Sequence, residues 1–242
     1  MSKKSVLASW SAFSFAFAIV FLSGCGVVES SEVSSSTVHA AYTATYQEQS
    51  GQASYSAHFT VGNDIGTDIE LDGNSTVEID GNGMSDHHDI LNEVFYEDGV
   101  QSSYQDYLTS HEFYFRDQSG TVFRNDFNFP VMVEVAGVSS PSISIQNYFS
   151  VNWVASGPVD PSDTVEAILT RSDGATGEVT NYPAGSQSGV IEFTPQILQT
   201  LGSSSVQLTV CHQHSTTSIQ GDSSGGELEV SSCSRALSLI IN

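Results

Sequence analysis

Between Ala53 and Val61 every second residue is apolar: Ala53, Tyr55, Ala57, Phe59 and Val61 alternate with Ser54, Ser56, His58 and Thr60. A period of two sends the two sets of side chains to opposite faces of an extended strand, so this segment folds as a half-buried β-strand and not as a helix. Related patterns predict strands over 38–46, 68–71, 76–79, 104–115, 121–127 and 131–135. Asp72-Gly73-Asn74, Asp80-Gly81-Asn82-Gly83, Asp98-Gly99 and Ser119-Gly120 supply the turns between them. No long amphipathic helix competes, and many short strands punctuated this way indicate a sandwich or a barrel.

A second series starts after Val138-Ser139-Ser140-Pro141-Ser142, where a boundary is expected. Phe149, Val151 and Trp153 alternate with Ser150 and Asn152, and further strands are predicted over 165–170, 178–182, 190–193, 205–211, 227–230 and 236–241. One short helix is predicted from Pro195, favoured at a first helical position, to Leu201, with Gly202 ending it. The FSVNW segment resembles the early Trp-bearing strand of fibronectin type III and related immunoglobulin-like modules. The TPQILQTLGSSSVQLTV segment resembles the connection into their penultimate strand pair. The expected fold is all-β, with two immunoglobulin-like β-sandwich domains at 38–138 and 139–242.

Ahead of them, Lys3 and Lys4 precede an apolar run from Val6 to Leu22, and small Ser23 and Gly24 precede Cys25. This is the layout of a cleaved export signal rather than a membrane span, being slightly short and lacking basic residues behind it. Leu22-Ser23-Gly24-Cys25 resembles the lipobox of bacterial lipoproteins. The resemblance implies removal of residues 1–24, lipidation of Cys25 and anchorage in a membrane. With Gly26 rather than aspartate next, it further implies the outer membrane of a Gram-negative host, facing the periplasm or the cell surface. Residues 25–37, rich in serine, are expected to form a flexible tether.

Both lysines fall in the leader. The remainder carries Arg116, Arg124, Arg171 and Arg235 against 28 acids, a formal charge of −24. Such a chain repels nucleic acid and anionic lipid, which excludes nucleic-acid partners. Solubility accounts for the charge; attraction of divalent cations or of a cationic partner is the functional alternative. Beyond Cys25, Cys211 and Cys233 form an even remainder in an exported chain, which suggests a disulfide. In 206–211 and 228–230 the apolar residues take alternate positions, so both cysteines face outward from adjoining strands and can meet.

The polar clusters offer little for catalysis. Gly221-Asp222-Ser223-Ser224-Gly225-Gly226 resembles the GDSGG segment around the nucleophile of trypsin-like proteases. An extra serine shifts the backbone donors of the oxyanion hole, and no histidine stands in the family's setting; His39 precedes Ala40-Ala41 instead. In Asp86-His87-His88-Asp89, His87 and His88 are candidate metal ligands, but neighbours on a strand face opposite ways and a polar loop is the simpler reading. His212 and His214 share a face, a spacing proper to metal ligands, yet using Cys211 with them would forbid the disulfide. Asp80 to Asp86 has oxygen ligands at alternate positions but lacks the later glutamate of an EF-hand. The aromatics from Phe113 to Tyr148 are expected in a core, with a sugar- or protein-binding platform as the alternative. The expectation is therefore a non-enzymatic, lipid-anchored envelope protein that binds a protein or glycan partner, with no required cofactor beyond an optional divalent cation. The alternative is a metal-dependent or carbohydrate-active enzyme built on His87, His88 or the His212/His214 pair.

Overall fold

The computed structural model describes residues 27–89, 93–98, 107–220 and 225–242. Cys25 and Gly221 to Ser224 lie outside these. Of the segment expected to be a flexible tether, residues 27–37 are described, and they are folded. β1 (Val28–Glu29) pairs in parallel with a later short strand, and Val27, Val28 and Val33 pack on a hydrophobic core. Its serines find protein partners rather than water: Ser30 Oγ and the Ser31 amide both donate to Asp72 Oδ1, at 2.7 and 2.8 Å. That satisfaction of polar groups is what composition alone does not reveal.

β2 (Val38–Gln47) and β3 (Gln52–Val61) form a hairpin, antiparallel over its whole length. On the inward face four successive cross-strand pairs each join one aromatic residue to one alanine: Ala40 with Phe59, Tyr42 with Ala57, Ala44 with Tyr55, Tyr46 with Ala53. Rings and gaps thus alternate in both directions, so facing side chains interlock without collision. The chain continues through β4 (Ile69–Glu70), β5 (Thr76–Ile79), β6 (Asn82–Gly83), β7 (Ser85–His88) and β8 (Val94–Asp98). β9 (His111–Arg116) and β10 (Val122–Phe127) follow. A sheet in the order β10-β9-β5-β6 lies over the hairpin, with Phe113 stacked on Tyr42 and Phe115 against Phe59, at 4.8 and 4.7 Å between centroids.

The remaining strands are β11 (Val133–Val138), β12 (Ser142–Ile143), β13 (Phe149–Ala155), β14 (Thr164–Arg171), β15 (Thr176–Asn181) and β16 (Ser188–Phe193). Helix α1 (Pro195–Leu201) has the predicted limits; Thr194 caps it by accepting from the Ile197 amide. After it come β17 (Ser204–Thr216), β18 (Glu227–Cys233) and β19 (Leu237–Ile241). β11, β13 and β16 form a second covering sheet. It encloses a separate core with Trp153, Phe149 and Phe193.

Both covering sheets lie on one ten-stranded sheet, in the order β12-β19-β17-β18-β2-β3-β8-β7, with β14 and β15 branching from β17. β18 and β19 act as a single long partner of β17. Leu228 to Cys233 face Thr216 to Cys211, and Leu237 to Ile241 then face Leu208 to Ser204. The step from 211 to 208 is matched by a step from 233 to 237, so one extra residue forms a bulge. Ser234 completes the ladder there: its amide donates to the Val210 carbonyl and its Oγ accepts from the Val210 amide. The extra residue also reverses parity, which is why Leu228 and Val230 point inward before it and Leu239 and Ile241 after it. At the bulge the outer neighbour changes from β2 to β12.

The chain is thus all-β, but its packing does not divide at 138/139. Val133 belongs to the second core, and Leu228 and Val230 belong to the first. Strand pairing overrides the composition break, because β18 joins β2 in parallel across most of the chain's length.

Candidate functional site

The densest buried group of titratable side chains lies where the two cores meet. β17 sends Val206, Leu208 and Val210 into the second core, and the same period brings His212 and His214 to that face one step further along. Asp163, just before β14, sits beneath both. Its Oδ2 is 2.8 Å from His212 Nε2, and its Oδ1 is 2.7 Å from His214 Nδ1. Asp163 and His212 are buried, whereas the His214 side chain is 42% exposed. His212 Nδ1 donates to the Val131 carbonyl at 2.8 Å. A carbonyl can only accept, so His212 Nδ1 carries a proton, and Asp163 bridges the two rings through its two oxygens.

This arrangement is a brace. Residues 128–132 pass from β10 in one covering sheet to β11 in the other, and they are held from below at two successive carbonyls. Val131 O accepts from His212, while Pro130 O accepts from Ser232 Oγ at 2.8 Å and from the Tyr107 hydroxyl at 2.6 Å. His212 has no free nitrogen for a metal or for proton transfer to a substrate. Cys211 is likewise engaged: it faces Cys233 in register, and the two are joined by a disulfide. The strand predicted to end at 211 continues to Thr216, so His214 lies within β17.

Two further histidines do similar work in the first half. His58 Nε2 meets Asp68 Oδ1 at 3.0 Å while Asp68 Oδ2 accepts from the Val94 amide, which ties β3 to β8. His111 Nδ1 meets Asp80 Oδ2 at 2.7 Å, and Asp80 Oδ1 accepts from the Glu112 amide. Those bonds hold Asp80 at a φ of 51°, a turn conformation that aspartate tolerates better than most residues. Sequence reasoning singled out the 212/214 pair, passed over Asp163 and Asp68, and read Asp80 as a turn residue and a candidate oxygen ligand; the histidines they meet stand too far away along the chain to be paired by spacing.

Asp86-His87-His88 forms the edge strand β7 rather than a polar loop. Pairing of Asp86 with Tyr96 and His88 with Val94 sets Asp86 and His88 on one face and His87 on the other. Glu70 joins Asp86 and His88, and the three present donor atoms within 4.8 Å of one another. Tyr96 lies below them, its hydroxyl accepting from the Leu71 amide. Burial pushes the Tyr96 phenol up to about 12, and the charges of Glu70, Asp86 and Asp72 add to the effect.

On the opposite face of the large sheet, burial raises the Glu166 carboxyl above its usual range and Glu178 and Glu229 reinforce that, against a stabilising hydrogen bond from Thr180. An open cleft of about 890 Å³ runs beside residues 128–132. Tyr46, Glu48, Tyr107, Met132, Glu134 and Arg235 line it, and Arg235 Nε is held by Glu48 Oε1 at 3.2 Å. No histidine or cysteine is among its lining residues.

No family model matches the chain, and no curated protein does. Among solved structures it is similar to a tetra-tandem repeat in the extending region of a large adhesion protein, at 13% identity and a TM-score of 0.30, over 84% of this chain and 49% of that one. It is also similar to the Yersinia pseudotuberculosis adhesin InvE, at 9% identity and a TM-score of 0.24, over 86% of this chain and 60% of that one. The chain therefore spans about half the length of the first and three fifths of the second. Scores this low do not establish a shared fold.

Proposed function

We propose that the chain is a lipid-anchored, non-catalytic interaction module of a bacterial cell envelope. The observation that carries this is the use of its chemistry-bearing residues: His58, His111, His212 and Cys211 are all spent on internal braces between strands. A catalytic base needs a free nitrogen within reach of a substrate proton, and His212 offers none. Residues 139–242 are read as an immunoglobulin-like sandwich, a reading supported by Trp153 in their core and α1 leading into β17. The partner is a protein or a glycan, and the cleft beside residues 128–132 is the surface best shaped to receive it.

Anchorage follows from Leu22 to Cys25. Because folded structure already begins at Val27, lipidation of Cys25 would hold the body within roughly 10 Å of its lipid, given about 3.5 Å of reach per residue. Two or more acyl chains make such attachment stable. The test combines fatty-acid labelling, membrane fractionation and a fluorophosphonate probe. Wild type should incorporate label and sediment with membranes, Cys25→Ser should do neither, and neither should react with the probe. Probe labelling at Ser223 or Ser224 that is lost on denaturation would reveal an activated serine and overturn the non-catalytic reading.

A further inference from the structure

Among the described residues, five histidines have an aspartate within ion-pair distance, and one pair differs from the rest. His58–Asp68, His111–Asp80, His212–Asp163 and His214–Asp163 close at 2.7–3.0 Å, within hydrogen-bond length. His88 Nε2 and Asp86 Oδ2 stand 3.9 Å apart, too far for one. The gap is shared by a third group, Glu70, and all three donor atoms fall within 4.8 Å of one another. Ligands about 2.0–2.2 Å from a tetrahedral metal stand about 3.3–3.6 Å from each other, so small side-chain movements would close this set around one ion.

The surroundings favour a cation. Asp72, nearby, is saturated by Ser30, the Ser31 amide and Gln118, whereas the side-chain carboxylates of Glu70 and Asp86 have no hydrogen bond or basic partner among the described residues other than His88. The strand register adds Glu29 beside Glu70. Tyr96 lies below, its phenol raised first by burial and then by the charges of Glu70, Asp86 and Asp72. Asp86 and His88 share a face because they are two apart on β7, and Glu70 reaches them from β4, so an ion here would pin the edge strand to the corner formed by β1 and β4.

We propose that Glu70, Asp86 and His88 form a divalent metal site selective for zinc-like ions. An imidazole with two carboxylates suits zinc, whereas calcium and magnesium prefer all-oxygen shells. Three protein ligands leave a coordination position for water or for a group on a partner.

The experiment uses the full chain without a polyhistidine tag, stripped with chelator and titrated with Zn²⁺ by calorimetry. The proposal expects one equivalent to bind, with affinity at least tenfold weaker in His88→Ala and in Glu70→Gln, and unchanged in His87→Ala, whose side chain is on the other face. Zn²⁺ should also raise the melting temperature of wild type but not of His88→Ala, and both proteins should melt alike in chelator, because His88 is exposed. Absence of saturable binding would overturn the proposal. So would binding that survives the His88→Ala, Glu70→Gln double variant, or that falls equally in His87→Ala. Calcium displacing Zn²⁺ at equal concentration would overturn the selectivity.

Discussion

Replacing Asp163 with asparagine keeps the shape of the side chain and removes its charge. In the native chain the carboxylate bridges His212 and His214, and His212 also donates to the Val131 carbonyl. Asparagine puts an amide nitrogen where one of those two oxygens stood, so one of the two contacts is lost and a buried polar group goes unpaired. Leaving a buried polar group without its partner costs about 1–3 kcal/mol. For a chain of this size each kcal/mol lowers the melting temperature by about 2–4 °C, so Asp163→Asn should lower it by roughly 2–12 °C. His214→Ala, which removes a partly exposed partner, should cost less than about 1 kcal/mol. The assay is urea unfolding followed at two probes. Trp153, the one tryptophan outside the leader, reports the second core, while far-ultraviolet circular dichroism reports strands throughout. Because the hairpin of β17 with β18 and β19 runs through both cores, the two transitions should coincide in wild type. A loss below about 1 kcal/mol for Asp163→Asn, or an equal loss for His214→Ala, would refute the assignment of Asp163 and His212 as a buried brace.

Gly189 faces Trp153 across β13 and β16, and an added Cβ would stand 2.8 Å from the indole ring, so Gly189→Ala should destabilise by about 1–3 kcal/mol in the same assay. Glu166 holds its proton more tightly when folded than when unfolded, so its contribution to stability is present at low pH and is lost as pH rises through its raised value. Glu166→Gln, which keeps an acceptor for Thr180, should therefore raise the melting temperature at pH 7, and the advantage should vanish below about pH 4, where the wild-type carboxyl is protonated. Replacing Cys211 and Cys233 together with serine opens a crosslink between residues 22 apart and should cost on the order of 3 kcal/mol, measured against the oxidised wild type.

The strands that frame the cores were legible because each carries apolar residues at alternate positions, as in Phe149, Val151 and Trp153; α1 was legible from Pro195 and Gly202. β7 was not, since Ser85, Asp86, His87 and His88 are exposed on both faces of an edge strand and leave no hydrophobic period to read. The shared sheet was hidden for a different reason. Parallel pairing of β2 with β18 joins residues 186 apart, such as Ser231 and Thr45, and no local signal carries that distance. The His212 face was readable from strand parity, but its function depended on Asp163, 49 residues earlier, which looked like an ordinary turn residue after Asp160-Pro161. The serine-rich 27–37 segment resembled a tether by composition and was captured by Asp72, a contact that only the folded chain supplies.

Attachment of the folded body to a membrane through Cys25 is tested most directly by mass spectrometry of the amino-terminal peptide of protein extracted from its own membranes. The chain should start at Cys25 and carry a diacylglyceryl group on sulfur and an acyl group on the amino terminus. A chain starting upstream of Cys25, or one with an unmodified Cys25, would contradict the anchorage.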